Sequence, residues 1–195
     1  MKGFMRNNAY DLRTLTMLGV GSRPVHHPIA MECFWFSPDC NQILLFCDGA
    51  SGGNPGHAGV GIICRNDRCD VVGAIAAGLG VCSSYVAEMI AILMGLEWAV
   101  AKGFSNIIVN SDSHGAVQFF ISNRIPWMME PRWRLIKQRQ ISIGFRDCFR
   151  EINFSADSLA KRGSFLIAGQ IESFDDRPVF LRNLEFPNIP YYRFM

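Results

Sequence analysis

The 195-residue sequence lacks the short signatures of several protein classes. It has no G-x-x-x-x-G-K-[ST] loop and no G-x-G-x-x-G between a predicted strand and a predicted helix, which argues against a nucleotide-binding enzyme. None of its seven cysteines belongs to a C-x-x-C pair, which excludes a zinc knuckle or a dithiol redox motif. We therefore expect buried, reduced thiols in a reducing compartment.

Membrane and targeting signals are also missing. The first 20 residues interrupt their apolar positions with two asparagines, Asp11 and Arg13, so they lack the apolar run of a signal peptide. Residues 71–87 carry no charge, but their glycines and serines, and a length below ~20 residues, do not suit a membrane span. We expect an intracellular soluble monomer with no membrane contact, and both nucleus and cytoplasm stay open.

Three regions differ in their residue patterns. Residues 1–40 are predicted to be an N-terminal extension, with a short helix over residues 10–18 and an extended segment over residues 21–30. Residues 41–168 alternate strand and helix patterns without a long linker and form the predicted domain. Residues 169–195 contain three prolines among aromatic residues, which indicates an extended tail packed on the body rather than another helix.

The predicted domain follows the order β-β-β-α-β-α-α-β-α. The predicted strands are residues 43–47, 59–65, 70–78, 106–111 and 141–149, and the predicted helices are residues 83–102, 112–123, 131–140 and 154–166. Short turn-like links make the first three strands an antiparallel meander, and crossover helices make the last two parallel to the first. The fold class is therefore α/β, a five-stranded mixed sheet flanked by helices. Ser84 is the candidate N-cap of the first helix.

Four acidic residues occupy positions that are costly for a lone charge. Asp48 ends the buried strand ILLFC, where a carboxylate needs a positive or hydrogen-bonding partner. Glu88 lies on a helix that is apolar on nearly every face, with no basic residue within four positions. Asp112 follows the buried strand NIIVNS, and Asp157 lies early in the last helix. Taken singly, Glu88 and Asp157 fit surface acids favoured by the helix dipole, and Asp112 fits an N-cap.

Taken together, the four acids indicate a metal centre. The first and fourth strands are neighbours in the predicted sheet and present Asp48 and Asp112 at one edge, where α/β proteins bind ligands. Four carboxylates this close cannot all stay ionised without counter-ions. Divalent cations meet that need, and two of them would stabilise the attacking and leaving oxygens of a phosphodiester displacement. The glycines after Asp48 would let a nucleic-acid backbone approach closely.

Four sequence blocks resemble a known family. In order and spacing over residues 44–163, CDGASGGNPGHAGVGIICR, AEMIAILMGLEWA, IIVNSDS and REINFSADSLAKRG resemble a ribonuclease H type 1 domain. More narrowly, they are similar to plant ribonuclease H-like domains of non-LTR retrotransposons and of genes derived from them. The resemblance implies a five-stranded mixed sheet and hydrolysis of the RNA strand of RNA–DNA hybrids with two Mg²⁺ ions, for which Mn²⁺ could substitute.

The resemblance also implies residue roles. Asp48 would bridge the two ions, with Glu88 and Asp112 holding one ion and Asp157 the other, so all four acids would be catalytic metal ligands. Contact with the nucleic acid, whose minor groove carries the 2′-hydroxyls that distinguish RNA, is implied for Gly49, Ala50, Ser51, Asn54 and Ser84.

One position departs from the family pattern. Family members commonly carry a histidine ten residues before the fourth acid, and this sequence has Asp147 there. Neither His57 nor His114 matches that position. We therefore expect weak activity, and we expect all four histidines to be ordinary surface or loop residues.

Local charge favours a nucleic-acid partner such as an RNA–DNA hybrid. Residues 124–150 carry seven basic residues against two acidic ones, with Trp127, Trp133, Phe145 and Phe149 interleaved. Such groups neutralise phosphates and stack on bases, although a solvated helix face with its tryptophans in the core would look the same. Two further functions stay open: a domesticated, catalytically silent nucleic-acid-binding domain, and a protein-interaction module formed by the aromatic tail.

Overall fold

A six-stranded mixed sheet lies at the centre of the structure, a computed structural model that describes residues 9–21, 29–181 and 185–194. The extended segment predicted over residues 21–30 lies largely outside these ranges. The strands are Ala30–Cys33 (β1), Ile43–Ser51 (β2), Gly56–Arg65 (β3), Val71–Cys82 (β4), Asn106–Ser111 (β5), Ser142–Asp147 (β6), Ile171–Phe174 (β7) and Tyr191–Phe194 (β8). The helices are Ala9–Met17 (α1), Ser84–Ala101 (α2), His114–Ile121 (α3), Glu130–Lys137 (α4) and Phe154–Gly163 (α5), with a 3₁₀ turn at Arg150–Ile152.

The order across the sheet is β6-β5-β2-β3-β4-β7. Strands β2, β3 and β4 form an antiparallel meander, whereas β5 runs parallel to β2 and β6 runs parallel to β5. The predicted α/β fold class is therefore confirmed. The parallel register places Cys47 beside Ser111, so the next residues along, Asp48 and Asp112, reach the same edge of the sheet.

The sixth strand comes from the C-terminal tail. Strand β7 pairs antiparallel with β4, with Ile171 opposite Ala77. Its four residues were predicted to be extended, but their pairing with the sheet was not, because so short a segment carries almost no alternation. The chain divides into two compact units, and the larger, Glu32–Tyr192, contains this sheet. The predicted boundaries at residues 40 and 168 stay predictions.

Helix α2 is the core helix on one face of the sheet. By length and composition alone it could cross a membrane, but eight of its residues are buried inside the protein. Its N-cap is Ser83, whose hydroxyl accepts a hydrogen bond from the N–H of Val86 at 3.3 Å. The prediction of Ser84 as N-cap was wrong by one residue, because Ser83 keeps the extended backbone that a cap requires and Ser84 is already helical.

Helix α5 packs backbone to backbone against β3. A Cβ on Gly61 would overlap main-chain atoms of Ala156, Leu159 and Ala160. No side chain therefore separates the helix from the strand at this point. The position of α5 is set closely by the strand beneath it.

All seven cysteines lie within the described ranges, and none forms a disulfide. Cys33, Cys47 and Cys64 are buried, as predicted. Cys40 is exposed, so the expectation of burial was wrong there, because this residue lies in the turn that precedes β2.

Candidate metal centre

Three of the four predicted acids converge at the edge of the sheet. Asp48, Glu88 and Asp112 each offer an oxygen within 4.8 Å of the others. The parallel pairing of β2 with β5 brings Asp48 and Asp112 together, and α2 supplies Glu88 from its second turn. Asp48 is only 5% exposed.

Glu88 is held in place by the backbone of β2. The N–H of Gly49 donates a hydrogen bond to Glu88 Oε2 at 3.1 Å. A Cβ on Gly49 would overlap main-chain atoms of Ala87 and Glu88, so a glycine is what lets α2 lie this close to β2. A side chain at this position is excluded by the helix itself, whether or not a ligand is bound.

Burial and mutual repulsion raise the pKa of two of these carboxyl groups. Burial, then the charges of Asp112 and Asp157 and a hydrogen bond with Asp112, raise the pKa of Asp48 from 3.8 to about 7. Burial, then the charges of Asp48 and Asp112, raise the pKa of Glu88 from 4.5 to about 9. Without a bound cation, the cluster therefore retains protons at neutral pH.

Asp157 lines the same cavity as the three clustered acids, but its carboxylate binds two basic side chains of the protein. Its Oδ1 accepts a hydrogen bond from Arg150 Nη2 at 3.0 Å, and its Oδ2 accepts one from Lys161 Nζ at 2.5 Å. Its side chain is 15% exposed. In the described part of the chain, the tight group of acids does not include Asp157.

Neither of these two contacts of Asp157 was predicted from the sequence. Lys161 stands four residues after Asp157 on a helix, and that spacing was a usable signal of an ion pair. Arg150 reaches the site from the 3₁₀ turn before α5, and no spacing rule predicts its contact. Its positive charge opposes the pKa increases of Asp48 and Glu88.

The acids line a cavity of about 370 Å³. Its wall also contains four of the residues predicted to contact nucleic acid, namely Gly49, Ala50, Ser51 and Ser84. The fifth, Asn54, is not among the wall residues. Its Oδ1 accepts a hydrogen bond from the N–H of Ser84 at 3.3 Å, so it connects the β2–β3 turn to the start of α2.

Asn153 joins the start of α5 to the acidic cluster. Its Nδ2 donates hydrogen bonds to the carbonyl oxygen of Cys47 at 3.1 Å and to Asp112 Oδ1 at 3.0 Å. The residue is 1% exposed. It therefore fixes the loop before α5 relative to both strands that carry the acids.

Asp147, the acid ten residues before Asp157, contacts a histidine from another element. His114 Nδ1 lies 2.7 Å from Asp147 Oδ2. His114 comes from the start of α3 and its side chain is 73% exposed, in agreement with its prediction as a surface residue. The contact with Asp147 was not predicted.

The donor set fits a hard divalent cation. Three convergent carboxylates offer the oxygen ligands and the negative charge that Mg²⁺ and Mn²⁺ require. A second cation beside Asp157 would compete with Arg150 and Lys161 for the same two oxygens.

The basic region over residues 124–150 contains both exposed aromatic residues, which could stack on bases, and buried ones, which belong to the core. Trp127 is 85% exposed, whereas Trp133 is 4% exposed and Phe145 stacks on Phe120 at 5.6 Å. The prediction of stacking on bases is therefore wrong for Trp133, which is a core residue. Arg132 forms an ion pair with Glu97 of α2.

Comparison with known proteins gives a family match that lies within residues 41–168, the part of the chain predicted to form the domain. The family described as reverse transcriptase-like matches residues 46–163. An Arabidopsis thaliana protein named "Putative ribonuclease H protein" is 30% identical over 154 residues, which are 77% of this chain and 25% of that protein. The chain thus spans about a quarter of the length of this relative.

Solved structures of similar fold include ribonucleases H. The RNase H1 of the archaeon Halobacterium salinarum NRC-1 has a TM-score of 0.56 and 26% identity, over 63% of this chain and 96% of its own. LC11-RNase H1, isolated from compost and solved in complex with an RNA/DNA hybrid, has a TM-score of 0.55 and 24% identity. That match covers 62% of this chain and 94% of the other.

Proposed function

Because the chain belongs to the reverse transcriptase-like family and contains a ribonuclease H-like domain, we propose that it hydrolyses the RNA strand of RNA–DNA hybrids with the help of divalent cations. The observation that carries this proposal is the convergence of Asp48, Glu88 and Asp112 within 4.8 Å in a cavity open to a ligand. The hybrid bound to LC11-RNase H1 supports the choice of substrate. The Arabidopsis relative supports the plant part of the resemblance, whereas a retrotransposon-derived origin is proposed from the four sequence blocks alone.

Each part of the cavity has a role in this proposal. Asp48, Glu88 and Asp112 hold a Mg²⁺ or Mn²⁺ ion, which when bound supplies a more acidic water and charge stabilisation for the leaving oxygen. The backbone of Gly49 and the small side chains of Ala50 and Ser51 form a wall that admits the sugar–phosphate backbone. Ser84, held by Asn54, contacts the same strand.

Asp157 completes the proposed site for a second cation. That role requires the carboxylate to exchange Arg150 and Lys161 for metal. Once released, both side chains would carry positive charge beside the substrate phosphates.

The test is cleavage of a hybrid labelled on its RNA strand, in Mg²⁺ or Mn²⁺, by the purified chain and by Asp48→Asn. Asp67→Asn is the matched control, because Asp67 is an exposed acid in the β3–β4 turn. We expect cleavage by the unchanged chain and by the control, and none by Asp48→Asn. Equal background in all three would refute the proposed hydrolysis.

A second candidate is a catalytically silent domain that still binds nucleic acid. It is favoured by Asp147, which is held by His114, and by the two ion pairs of Asp157. Measurable affinity for the hybrid without cleavage would support this candidate.

A protein-interaction role for the tail is less favoured. Strand β7 belongs to the sheet and Glu185 is buried in the body, so we expect deletion of residues 170–195 to prevent folding.

A further inference from the structure

The C-terminal tail supplies a buried carboxylate to the helix that carries Asp157. Glu185 lies beyond residues 46–163, which match the family, and its side chain is 5% exposed. Its Oε1 accepts a hydrogen bond from the backbone N–H of Ser155 at 2.8 Å. Its Oε2 forms an ion pair with Arg65 of β3. One side chain of the tail therefore bridges β3 and α5.

Helix α5 has no side-chain cap of its own. Asn153 occupies the N-cap position, but its side chain makes no capping hydrogen bond. Its Nδ2 donates to Cys47 and Asp112, and its buried Oδ1 has no hydrogen-bond partner within the described residues. The first N–H groups of a helix lack intrahelical acceptors, and Ser155 is 1% exposed. The carboxylate of Glu185 thus performs from a distant segment the function that a capping residue performs locally. Its negative charge also suits the helix N-terminus.

The Arg65 guanidinium keeps Glu185 in this position. Arg65 is 1% exposed, and its guanidinium lies 5.3 Å from the ring centroid of Trp35. A buried guanidinium requires an anion, so the pair holds the tail carboxylate beside Ser155. The backbone of the tail adds a further tie, since the N–H of Asn188 donates to the carbonyl oxygen of Trp35 at 3.0 Å.

The start of α5 is therefore fixed on two sides, with Asp157 just after both fixed points. Asn153 ties it to the strands that carry Asp48 and Asp112, and Glu185 ties it to β3 and the tail. Directly after these two contacts, the backbone of Ala156 lies against Gly61 with no side chain in between. We propose that Glu185 is a positioning residue, which sets the first turn of α5 and thereby the place of Asp157 in the cavity. This inference rests on the proposed function for its catalytic consequence.

The experiment compares two double variants, Arg65→Met with Glu185→Gln and Arg65→Met with Glu185→Met. Both remove the buried charges, so neither leaves an unpaired ion. They differ in whether residue 185 keeps an oxygen that accepts the N–H of Ser155. Single removal of Glu185 would leave Arg65 without its anion and could prevent folding.

The first measurement is amide hydrogen exchange at Ser155 and Asp157, with the amides of α2 as internal reference. We expect exchange roughly 3- to 10-fold faster in the Met variant than in the Gln variant, which corresponds to the loss of one hydrogen bond. Equal exchange in the two variants would overturn the proposal.

The second measurement is hybrid cleavage by the same two proteins. We expect a lower kcat in the Met variant with an unchanged KM, and rescue of kcat in the Gln variant. Faster exchange with equal kcat would show a helix cap that does not position Asp157, and would also overturn the proposal. If the unchanged chain cleaves no hybrid, the proposed function fails, and the exchange rates alone decide whether Glu185 holds this turn.

Discussion

The two sides of the acidic cavity neutralise their charge in different ways. Asp48, Glu88 and Asp112 face one another, and proton uptake by Asp48 and Glu88 compensates part of the charge, with the pKa of Asp48 near 7 and that of Glu88 near 9. Asp157 faces the same space, yet two basic side chains occupy both of its oxygens. Among the described residues, no basic side chain forms an ion pair with the three acids, whereas two form ion pairs with Asp157.

The sequence predicts the same role, that of a metal ligand, for all four acids, but in the structure Asp157 differs from the other three. The cluster of three is held by strand pairing and by the contact of Gly49 with Glu88, so its oxygens are in place before a cation arrives. Asp157 has to exchange partners before it binds metal, and its cationic partners are largely exposed and able to move away. The three acids therefore form the permanent site in our proposal, and Asp157 forms the conditional one.

Metal affinity is the most direct test of the difference between the three clustered acids and Asp157. We expect Glu88→Gln to weaken Mn²⁺ binding by about 100-fold or more, since even loss of an outer-shell partner costs roughly 10- to 100-fold. Asp157→Asn should change the affinity of the free chain by less than about 3-fold, because its carboxylate is already neutralised.

Calorimetric titration of Mn²⁺ measures both affinities, with Asp67→Asn as the control for removal of an acid. Equal losses in Glu88→Gln and Asp157→Asn would show that all four acids bind the first ion together.

Stability without metal should change in opposite directions on the two sides. Asp48→Asn removes a buried carboxyl group that repels its neighbours, so we expect the free energy of unfolding at pH 8 to increase by about 1–2 kcal/mol. Asp157→Asn removes two ion pairs with exposed partners, so we expect a decrease of about 0.5–1 kcal/mol. Urea denaturation in the presence of a chelator measures both. Changes of the same sign would contradict the contrast.

The pH dependence of stability is an independent test of whether Asp48→Asn stabilises the metal-free chain. Asp48 and Glu88 bind protons more tightly in the folded chain than in the unfolded chain, where their pKa values return to 3.8 and 4.5. From about pH 4 to pH 9 the folded state holds more protons, so metal-free stability falls as pH rises. We expect the advantage of Asp48→Asn to be absent near pH 4 and to grow up to about pH 7. An advantage that shrinks with rising pH would contradict the raised pKa of Asp48.

The fold was predictable because its signals are local. Apolar runs bounded by turns mark β2 to β5, and the continuous apolar pattern of residues 83–102 marks α2. Strand β7 was not predicted, because its four residues are too few to show a strand pattern in the sequence. Two adjacent serines made the N-cap of α2 ambiguous, and the backbone conformation of Ser83 decided it.

The acids were predictable, and of their partners only Lys161 carried a signal in the sequence, its spacing of four residues from Asp157. A carboxylate after a buried strand is conspicuous in a sequence, so Asp48 and Asp112 could be identified from position alone. The contacts of Arg150 with Asp157, His114 with Asp147 and Glu185 with Arg65 join residues 7, 33 and 120 positions apart. Such contacts depend on how loops and the tail return to the sheet, which no periodicity records.

A further prediction concerns Asp147 of β6, whose carboxylate contacts His114. Asp147→His places an imidazole at the position where the ribonuclease H resemblance predicts one, so we expect kcat for hybrid cleavage to rise about 3- to 10-fold. Asp147→Asn removes the charge without adding an imidazole, and His114→Ala removes the present partner of Asp147. A rise in Asp147→His alone assigns the gain to the imidazole, whereas an equal rise in Asp147→Asn assigns it to the lost charge. An unchanged or lower rate in Asp147→His would mean that Asp147 does not limit turnover. The ion pairs of Asp157 with Arg150 and Lys161 would then be the next candidates for the limiting feature.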